Sequence, residues 1–422
     1  MRSGITSPQR SRERLSIALL SYSTRPRGGV VHTLALAEAL AALGQEVTVW
    51  TLGRGGDTGF FRPVDAAVRQ EIVPFPDRPG EAVGARILRS IATLRSSFTP
   101  DRYDVVHAQD CISANAVQRC LRTVHHVDHF TTPELAACHE RAIVEPAAHV
   151  CVSAAVAAEL HAGWGITATV IPNGVDAPRF AAAAEPEGWR ARRTWRRRFG
   201  RYVLAVGGIE PRKGSLELLG AYALLRRDLP DLRLVVAGGE TLFDYRDYRA
   251  RWDAMAARLA VAPEILGPVD HRALPSLVAA ASVFAFPSTK EGFGLAAMEA
   301  LAAGVPVVAR DLPVLREVFG DAVRYGTDPV TLAAAMRAAV ELPDPARQAA
   351  GRALAGSHTW HAAAEAHLTL YRSLPAPTGH RSAPPVAAPG RPAGARHNTS
   401  RYPTEDRPLR PSTGVPGSAE NG

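Results

Sequence analysis

One stretch decides the fold of this chain: Phe286-Pro287-Ser288-Thr289-Lys290-Glu291-Gly292-Phe293-Gly294-Leu295-Ala296-Ala297-Met298-Glu299. An apolar strand leads into a turn, a glycine-rich bend and a helix. The bend points backbone N–H groups and a positive helix end at whatever lies in front of it. Glu291 and Glu299 add acceptors for hydroxyl groups, which suits a ligand that joins a sugar to a phosphate. The alternative is an ordinary loop with two surface glutamates, because short motifs are often matched by chance.

The next residues favour the first interpretation. Residues 300–309 continue the helix, end it at Gly304 and begin another apolar strand at Val305. Here the sequence resembles the retaining glycosyltransferases of family four. In that family the motif reads Pro-Ser, Glu-Gly-Phe-Gly, a second Glu, then Ala-x-Gly-x-Pro-Val-Val, and this chain matches it nearly throughout. The resemblance covers residues 15 to 374 and implies the α/β GT-B fold, with two Rossmann-like doubly wound domains facing a central cleft.

Length and composition agree with this interpretation. The chain has 422 residues, too many for one ordinary core, and a net charge of +8 with a sequence pI near 9.7. This charge permits attraction to nucleotides, phosphates or an acidic membrane surface, whereas nucleic acid binding is weakly supported. The 4 cysteines form no close pair and no zinc spacing, and the polar N-terminus has no apolar signal core. Cytoplasmic residence is therefore the expectation.

Strands alternate with helices in both halves of the chain, which predicts parallel sheets. The first strand, Leu15 to Ser21, leads to a turn with Gly28 and Gly29 and a helix from Val31 to Leu43. The third spaced glycine of the dinucleotide fingerprint is absent, which disfavours an NAD dehydrogenase. By resemblance, this Gly-Gly loop lies against the donor phosphates and the acceptor.

The turn at residues 172–176, Pro-Asn-Gly-Val-Asp, closes the first domain by the same resemblance. The predicted plan begins with a disordered basic tail (1–14). An N-terminal acceptor domain (15–178) and a C-terminal nucleotide-sugar domain (179–357) follow. A helix then returns to the first domain (358–374), and a disordered Pro/Gly/Arg-rich tail comes last (375–422). Residues 185–201 are rich in arginine. We interpret them as a solvated helix, with a basic patch for anionic lipid as the alternative.

A basic turn, Gly207 to Gly214, follows the first strand of the second domain. Arg212 can bind phosphate oxygens in bidentate fashion, and Lys213 acts as a point charge. The family holds the donor diphosphate with an arginine and a lysine of this turn. Its usual arginine directly follows the glycine after the strand, where this chain has Gly208. Arg212 therefore takes over this role, or the diphosphate is held differently.

Three histidines, His125, His126 and His129, follow a predicted strand of the first domain. Strand ends of doubly wound sheets face the ligand crevice, so the cluster indicates a site. A metal is the alternative, but an extended strand would point His125 and His126 to opposite faces. By resemblance, one histidine contacts the transferred sugar near its reacting carbon; His125 fits best, with His126 as the second choice.

The resemblance also assigns the remaining donor contacts. Glu291 would bind a hydroxyl of the donor sugar and Glu299 the ribose. Leu266 would line the base pocket. The backbone around the bend would polarise the sugar and phosphate through Gly292, Phe293, Gly294 and Leu295.

The predicted activity is transfer of a hexosyl group from a nucleotide sugar of the GDP-mannose or UDP-glucose type to a hydroxyl acceptor, with retention of configuration. No two aspartates are separated by one residue, so we expect no metal, and no cofactor besides the donor. The acceptor is a glycan, a lipid-linked molecule or a small molecule, and peripheral contact with the inner membrane face stays open. The alternatives are a nucleotide-sugar 2-epimerase or a phosphorylase of the same architecture, and a basic protein that binds nucleic acid or lipid.

Overall fold

A computed structural model describes residues 14–117, 119–127, 133–239 and 245–374. Apart from Arg14, both tails that the sequence predicts to be disordered lie outside these ranges. His129 lies outside them as well. Within the described ranges, no helix combines the length and the apolar character needed to cross a bilayer.

The first domain is built on a parallel sheet of seven strands. They are β1 (Ser16–Leu20), β2 (Glu46–Arg54), β3 (Val68–Phe75), β4 (Val105–Ala108), β5 (Leu121–Val124), β6 (Ala148–Cys151) and β7 (Thr169–Val170). The strand order is β3-β2-β1-β4-β5-β6-β7. Its helices are α1 (Gly28–Ala42), α2 (Val83–Ser97), α3 (Cys111–Val117), α4 (Pro133–Val144) and α5 (Ala154–Trp164). The order reverses direction between β1 and β4, which places a ligand crevice at the carboxyl ends of these strands.

The second domain repeats the plan with six parallel strands in the order β10-β9-β8-β11-β12-β13. The strands are β8 (Tyr202–Val206), β9 (Arg233–Ala237), β10 (Glu264–Gly267), β11 (Val283–Phe286), β12 (Val307–Arg310) and β13 (Arg324–Gly326). The remaining helices are α6 (Ala177–Ala184), α7 (Trp189–Phe199), α8 (Ser215–Asp228), α9 (Arg246–Arg258), α10 (Leu274–Ala280), α11 (Leu295–Ala302), α12 (Pro313–Phe319), α13 (Pro329–Glu341), α14 (Pro345–Ser357) and α15 (Trp360–Ser373). The predicted fold class, two Rossmann-like α/β domains, is confirmed.

Apolar runs form the central strands because both faces of each sheet are covered by helices. In β1, residues 17–20 are fully buried, and β11 is buried throughout. Gly304 ends the unit of β11 and α11 in a left-handed conformation (φ +70°). This local unit therefore folds as the sequence predicts.

Two predicted boundaries were wrong. Helix α1 begins at Gly28 rather than Val31, because Arg27 is extended and the two glycines already form the first helical turn. Strand β5 ends at Val124 rather than Val127, so His125 and His126 lie in a bend beyond the strand. The alternating geometry expected of an extended strand therefore does not apply to these histidines.

Helix α15 packs on the first domain. Ala364, Leu368 and Tyr371 share a buried cluster with Leu34 of α1. The segment before α6 lies close to the start of α15: a Cβ placed on Gly174 would be 2.4 Å from the backbone nitrogen of Trp360. The turn that contains Gly174 and the start of α15 thus leave no room between them for a side chain.

This close approach predicts that Gly174→Ala destabilises the fold. The added methyl has no space beside Trp360, and such overpacking costs about 1–3 kcal/mol. Urea unfolding followed by circular dichroism measures the change. Gly356→Ala in α14 is the matched control, because nothing lies within 4 Å of its added Cβ, and we expect it to be neutral or stabilising by up to about 1 kcal/mol. Equal unfolding midpoints for Gly174→Ala and the parent would contradict the prediction.

Candidate active site

The two domains meet where the loop after β5 faces the loop after β11. A Cβ placed on Gly292 would lie 1.6 Å from the carbonyl oxygen of His125, so the two backbones are in direct contact. Only glycine permits this approach. The predicted sites of the two domains therefore face each other across the cleft.

Two side-chain contacts lie beside this backbone contact. The Glu317 carboxylate of α12 accepts hydrogen bonds from the backbone nitrogens of Ala154 and Ala155, at 2.7 and 2.8 Å. These nitrogens begin α5 of the first domain, where a negative charge is favourable. Lys290 Nζ lies 3.5 Å from Glu159 Oε1, also on α5. Neither pairing has a local sign in the sequence, because each joins residues that are distant in the chain.

The basic turn between β8 and α8 lies against the end of β11. Pro211–Lys213 forms a single turn of 3-10 helix, and Gly214 follows in a left-handed conformation (φ +62°). A Cβ on Gly214 would lie 2.2 Å from the carbonyl oxygen of Pro287. This tight fit directs Arg212 and Lys213 towards the bend that follows β11.

The structure joins three of the predicted site residues in one charge cluster. Lys213 Nζ lies 2.5 Å from Glu291 Oε1, and Arg212 Nη1 lies 3.1 Å from the same oxygen. Arg212 Nη2 also lies 3.3 Å from Glu210 Oε1. Two cations that the sequence assigns to a diphosphate therefore share a carboxylate here.

The electrostatics of Glu291 follow from this cluster. Burial alone would raise its pKa, but the charges of Lys213 and Arg212 outweigh burial and lower the pKa to about 2. The carboxylate therefore stays ionised at neutral pH. An incoming phosphate would compete with it for the same two cations.

His125 lies between the glycines of both domains. Its ring is 3.7 Å from the position of a Cβ on Gly29, and its Nε2 is buried. A Cβ on Gly28, in contrast, would meet nothing within 4 Å. Burial lowers the pKa of His125 to about 3, with a smaller contribution from the charge of His126. The imidazole is therefore neutral at ordinary pH.

Sequence reasoning missed the residue that supports this ring. His32 of α1 contacts His125 edge to face, with ring centroids 4.8 Å apart. Its Nδ1 lies 2.8 Å from Asn173 Oδ1, and its ring packs against Trp360. In the sequence, the only local sign of this role is a histidine at a core position of an apolar helix, one turn after Gly-Gly.

More buried histidines continue from His32 towards the last helix. His367 of α15 packs between His32 and His107, with centroids 6.3 and 5.6 Å away. His107 contacts Tyr371 Oη at 2.8 Å and Thr123 Oγ1 at 2.7 Å. Burial lowers the pKa of His107 well below its usual value and that of His367 to about 4. These rings are thus neutral packing groups that connect α15 to the cleft.

Glu299 lies in a different electrostatic environment. Burial raises its pKa to about 7, although the charge of Arg179 opposes the change and that of Asp176 adds to it. Arg179 also donates a hydrogen bond to the carbonyl oxygen of His271. Neither Arg179 nor Asp176 was predicted as a site residue: α6 carries no recognisable binding motif, and the turn that ends at Asp176 was interpreted only as the domain boundary.

The other predicted donor contacts have distinct positions. The Phe293 side chain is buried and packs against His358 (5.6 Å between centroids), so only its backbone can serve a ligand. Gly294 is left-handed (φ +98°) and directly precedes Leu295, the first residue of α11. Leu266 is partly buried at the end of β10, and Gly208 follows Gly207 at the end of β8. The functional roles of all these residues stay predictions.

This chain is similar in sequence to known proteins across both domains. Residues 26–179 match the family Glycosyltransferase Family 4, and residues 193–353 match Glycosyl transferases group 1. The Phosphatidyl-myo-inositol mannosyltransferase of Mycolicibacterium smegmatis is 30% identical over 342 residues, covering 76% of this chain and 82% of the relative. The protein of the same name from Mycobacterium tuberculosis is 29% identical over 388 residues, covering 84% of this chain and 95% of the relative.

A solved structure agrees with the fold. Anabaena HepE in complex with UDP and glucose superposes with a TM-score of 0.65 at 19% identity, covering 86% of this chain and 100% of that one. Sequence families cover both domains, and the structural likeness extends across them. The chain therefore belongs to glycosyltransferase family 4 and has the GT-B fold.

Proposed function

We propose that this protein transfers a hexosyl group from a nucleotide sugar, GDP-mannose or UDP-glucose in type, to a hydroxyl acceptor with retention of configuration. The observation that carries the proposal is the cluster of Lys213, Arg212 and Glu291 beside Gly292, whose backbone contacts that of His125. The mannosyltransferase names of the relatives and the UDP and glucose bound to a structural neighbour support the donor class.

In this proposal, the donor diphosphate takes the place of Glu291 beside the two cations. Lys213 and Arg212 then neutralise the charge that builds up on the leaving phosphate, and Glu291 accepts a hydroxyl of the sugar. Backbone N–H groups at the start of α11 add to this stabilisation. Loss of one such group typically costs about 3–4 kcal/mol in the transition state.

The proton of the acceptor hydroxyl goes to the leaving phosphate. His125 is a poor base, because its pKa is lowered to about 3. We therefore propose that the acceptor oxygen attacks the anomeric carbon from the side on which the phosphate departs. One C–O bond forms as the other breaks, and the phosphate oxygen takes the proton. The neutral His125 ring would position the sugar near its reacting carbon.

The acceptor is proposed to be a hydroxyl on the polar head of a lipid, since the relatives are named for phosphatidyl-myo-inositol. The proposal includes no metal and no further cofactor, because the chain lacks an Asp-x-Asp motif. It places the protein in the cytoplasm, in peripheral contact with the inner membrane face.

The test of this function is turnover by Lys213→Ala and Glu291→Ala. Each should lower kcat about 100- to 1,000-fold, because each removes a group that acts on the transferred sugar or the leaving phosphate. Release of nucleoside diphosphate is measured with GDP-mannose and UDP-glucose, with and without phosphatidylinositol. Lys290→Ala is the matched control, since this lysine directly precedes Glu291 but pairs with exposed Glu159; it should change kcat by less than about threefold. Full activity of both site variants would refute the assignment. Conversion of the donor into its sugar epimer without any acceptor, and without net release of nucleoside diphosphate, would favour the epimerase.

The shared carboxylate makes a prediction about anion binding. Glu291→Gln frees Lys213 and Arg212 from their common partner, so inorganic pyrophosphate should bind about tenfold more tightly. Lys213→Ala should bind it more weakly than the parent. Isothermal titration calorimetry measures both affinities. An unchanged affinity in Glu291→Gln would show that the carboxylate does not compete with phosphate.

The raised pKa of Glu299 makes a prediction about pH. A ribose hydroxyl donates to the ionised carboxylate, and the free protein holds a proton there below about pH 7. Donor affinity should therefore rise about tenfold between about pH 6 and about pH 8. Glu299→Gln should bind the same nucleotide sugar with an affinity that changes much less over this range. If the affinities of parent and variant change in parallel, Glu299 does not bind the ribose.

A further inference from the structure

Helix α7 carries a concentration of positive charge that the transfer reaction does not use. Six of its eleven residues are arginines: Arg190, Arg192, Arg193, Arg196, Arg197 and Arg198. The opposite face anchors the helix to α10, where Trp195 Nε1 donates to Ser276 Oγ at 3.0 Å and Phe199 is buried. The helix is therefore fixed to the second domain by one face and presents arginines on the other.

Three arginines form the outermost stripe of this helix. Arg190, Arg193 and Arg197 are exposed and lie three, four and seven residues apart, which places them on one face. Within the part of the chain that the structure describes, no carboxylate forms an ion pair with any arginine of α7. The charge of the stripe is thus not balanced by a neighbour.

This arrangement works against the stability of the helix itself. Like charges at these spacings repel each other, and cations in the first turn oppose the helix dipole. The first turn contains no acidic residue, and Gly188 provides no side-chain cap. Arg192 and Arg196 do help to hold the helix, because they donate to backbone carbonyl oxygens, and cations in the last turn suit the dipole. Among the described residues, the side chains of Arg190, Arg193 and Arg197 have no hydrogen-bond or carboxylate partner. Their charge points to a partner that supplies the missing negative charge.

An exposed indole lies among these cations. The Trp189 side chain is 47% exposed, and the guanidinium carbons of Arg190 and Arg193 each lie 5.6 Å from its ring centroid. Beside it, Arg192, Arg193, Arg196 and Arg197 line an open concavity of about 390 Å³, enough for a phosphate-bearing head group. Tryptophan with arginine is the combination found where a protein meets the interface of a bilayer.

We propose that the outer face of α7 docks on a bilayer that contains anionic phospholipids. Arg190, Arg193 and Arg197 contact the phosphates of the head groups, and Trp189 enters the interface beside them. The surface is distinct from the cleft, and the inference does not depend on which sugar is transferred.

A bilayer fits this surface better than a nucleic acid does. The stripe is short, since eleven helical residues span about 16 Å, and it offers one aromatic side chain rather than a series on which bases could stack. A planar array of head groups can meet all three outward arginines and the indole at once. Each arginine near such a surface adds favourable electrostatic attraction.

The test compares the full chain with a variant that carries Arg190→Gln, Arg193→Gln and Arg197→Gln. Both are sedimented, without any donor, with vesicles of phosphatidylcholine that contain about a third phosphatidylglycerol. The partition coefficient should fall roughly a hundredfold in the variant. The matched control removes three exposed arginines of α8 and α9 (Arg227→Gln, Arg251→Gln and Arg258→Gln), and should bind within about threefold of the parent.

A second measurement reports on Trp189. Brominated acyl chains should quench part of the tryptophan emission of the parent, and Trp189→Phe should lose this part. Circular dichroism should show every variant folded, because the changed side chains are exposed.

The proposal is overturned if the α7 variant binds the anionic vesicles as well as the parent, or if the parent binds pure phosphatidylcholine equally well. Release of the parent by millimolar inorganic phosphate would overturn it too, in favour of a free phosphate ligand. Tighter binding to a short DNA duplex than to vesicles would overturn it in favour of nucleic acid. Because no donor is present, none of these results bears on the transferase activity.

Discussion

The contact between Gly292 and the carbonyl oxygen of His125 is the constraint on which the site depends. A side chain at residue 292 has no space, since even its Cβ would lie 1.6 Å from that oxygen. The contact also fixes the position of the preceding residue, Glu291, which lies opposite the first domain and beside Lys213. Glu317 strengthens the same junction by accepting hydrogen bonds at the start of α5. Two domains with separate sheets thus share one site because their backbones touch at a glycine.

The two glutamates of the site show how one loop and one helix create different environments. The charges of two cations outweigh the effect of burial on Glu291 and lower its pKa to about 2. For Glu299 the charge of Arg179 does not outweigh the effect of burial, which raises the pKa to about 7. Carboxylates whose pKa values are driven apart usually have different tasks. The ionised Glu291 suits a site where phosphate can replace a carboxylate beside the cations. Glu299 suits a ligand whose hydroxyl groups donate hydrogen bonds. His125 lies on the side of the ionised Glu291, because its backbone contacts Gly292, and the proposed function places the sugar there.

The sequence was most informative where structure is set by neighbouring residues. The unit from β11 to α11 could be predicted, because apolar strand, glycine bend and helix stop follow each other within residues 286–309. The pairing of Arg212 and Lys213 with Glu291 was not visible, although all three were chosen, because it depends on how two loops meet. His32 had only a weak local signal and Glu317 had none, since their partners lie on other elements. The early start of α1 was missed because glycine is a poor helix former, and tertiary packing overrode that preference.

Basic residues in this chain are divided by chemistry rather than by charge. Of the 49 lysines and arginines only Lys213 and Lys290 are lysines, and both contact carboxylates at the cleft. The Lys213 side chain runs close to Gly207, within 3.3 Å of where a Cβ on that glycine would lie. Such close packing favours an unbranched side chain with a compact charge. A lysine can also exchange one anion for another without the paired geometry that a guanidinium prefers. On α7 a weakly hydrated planar cation that lies over the Trp189 ring would suit the broad anionic surface proposed for this face. The cleft thus combines a lysine with Arg212 on one carboxylate, whereas the outer face of α7 carries arginines alone.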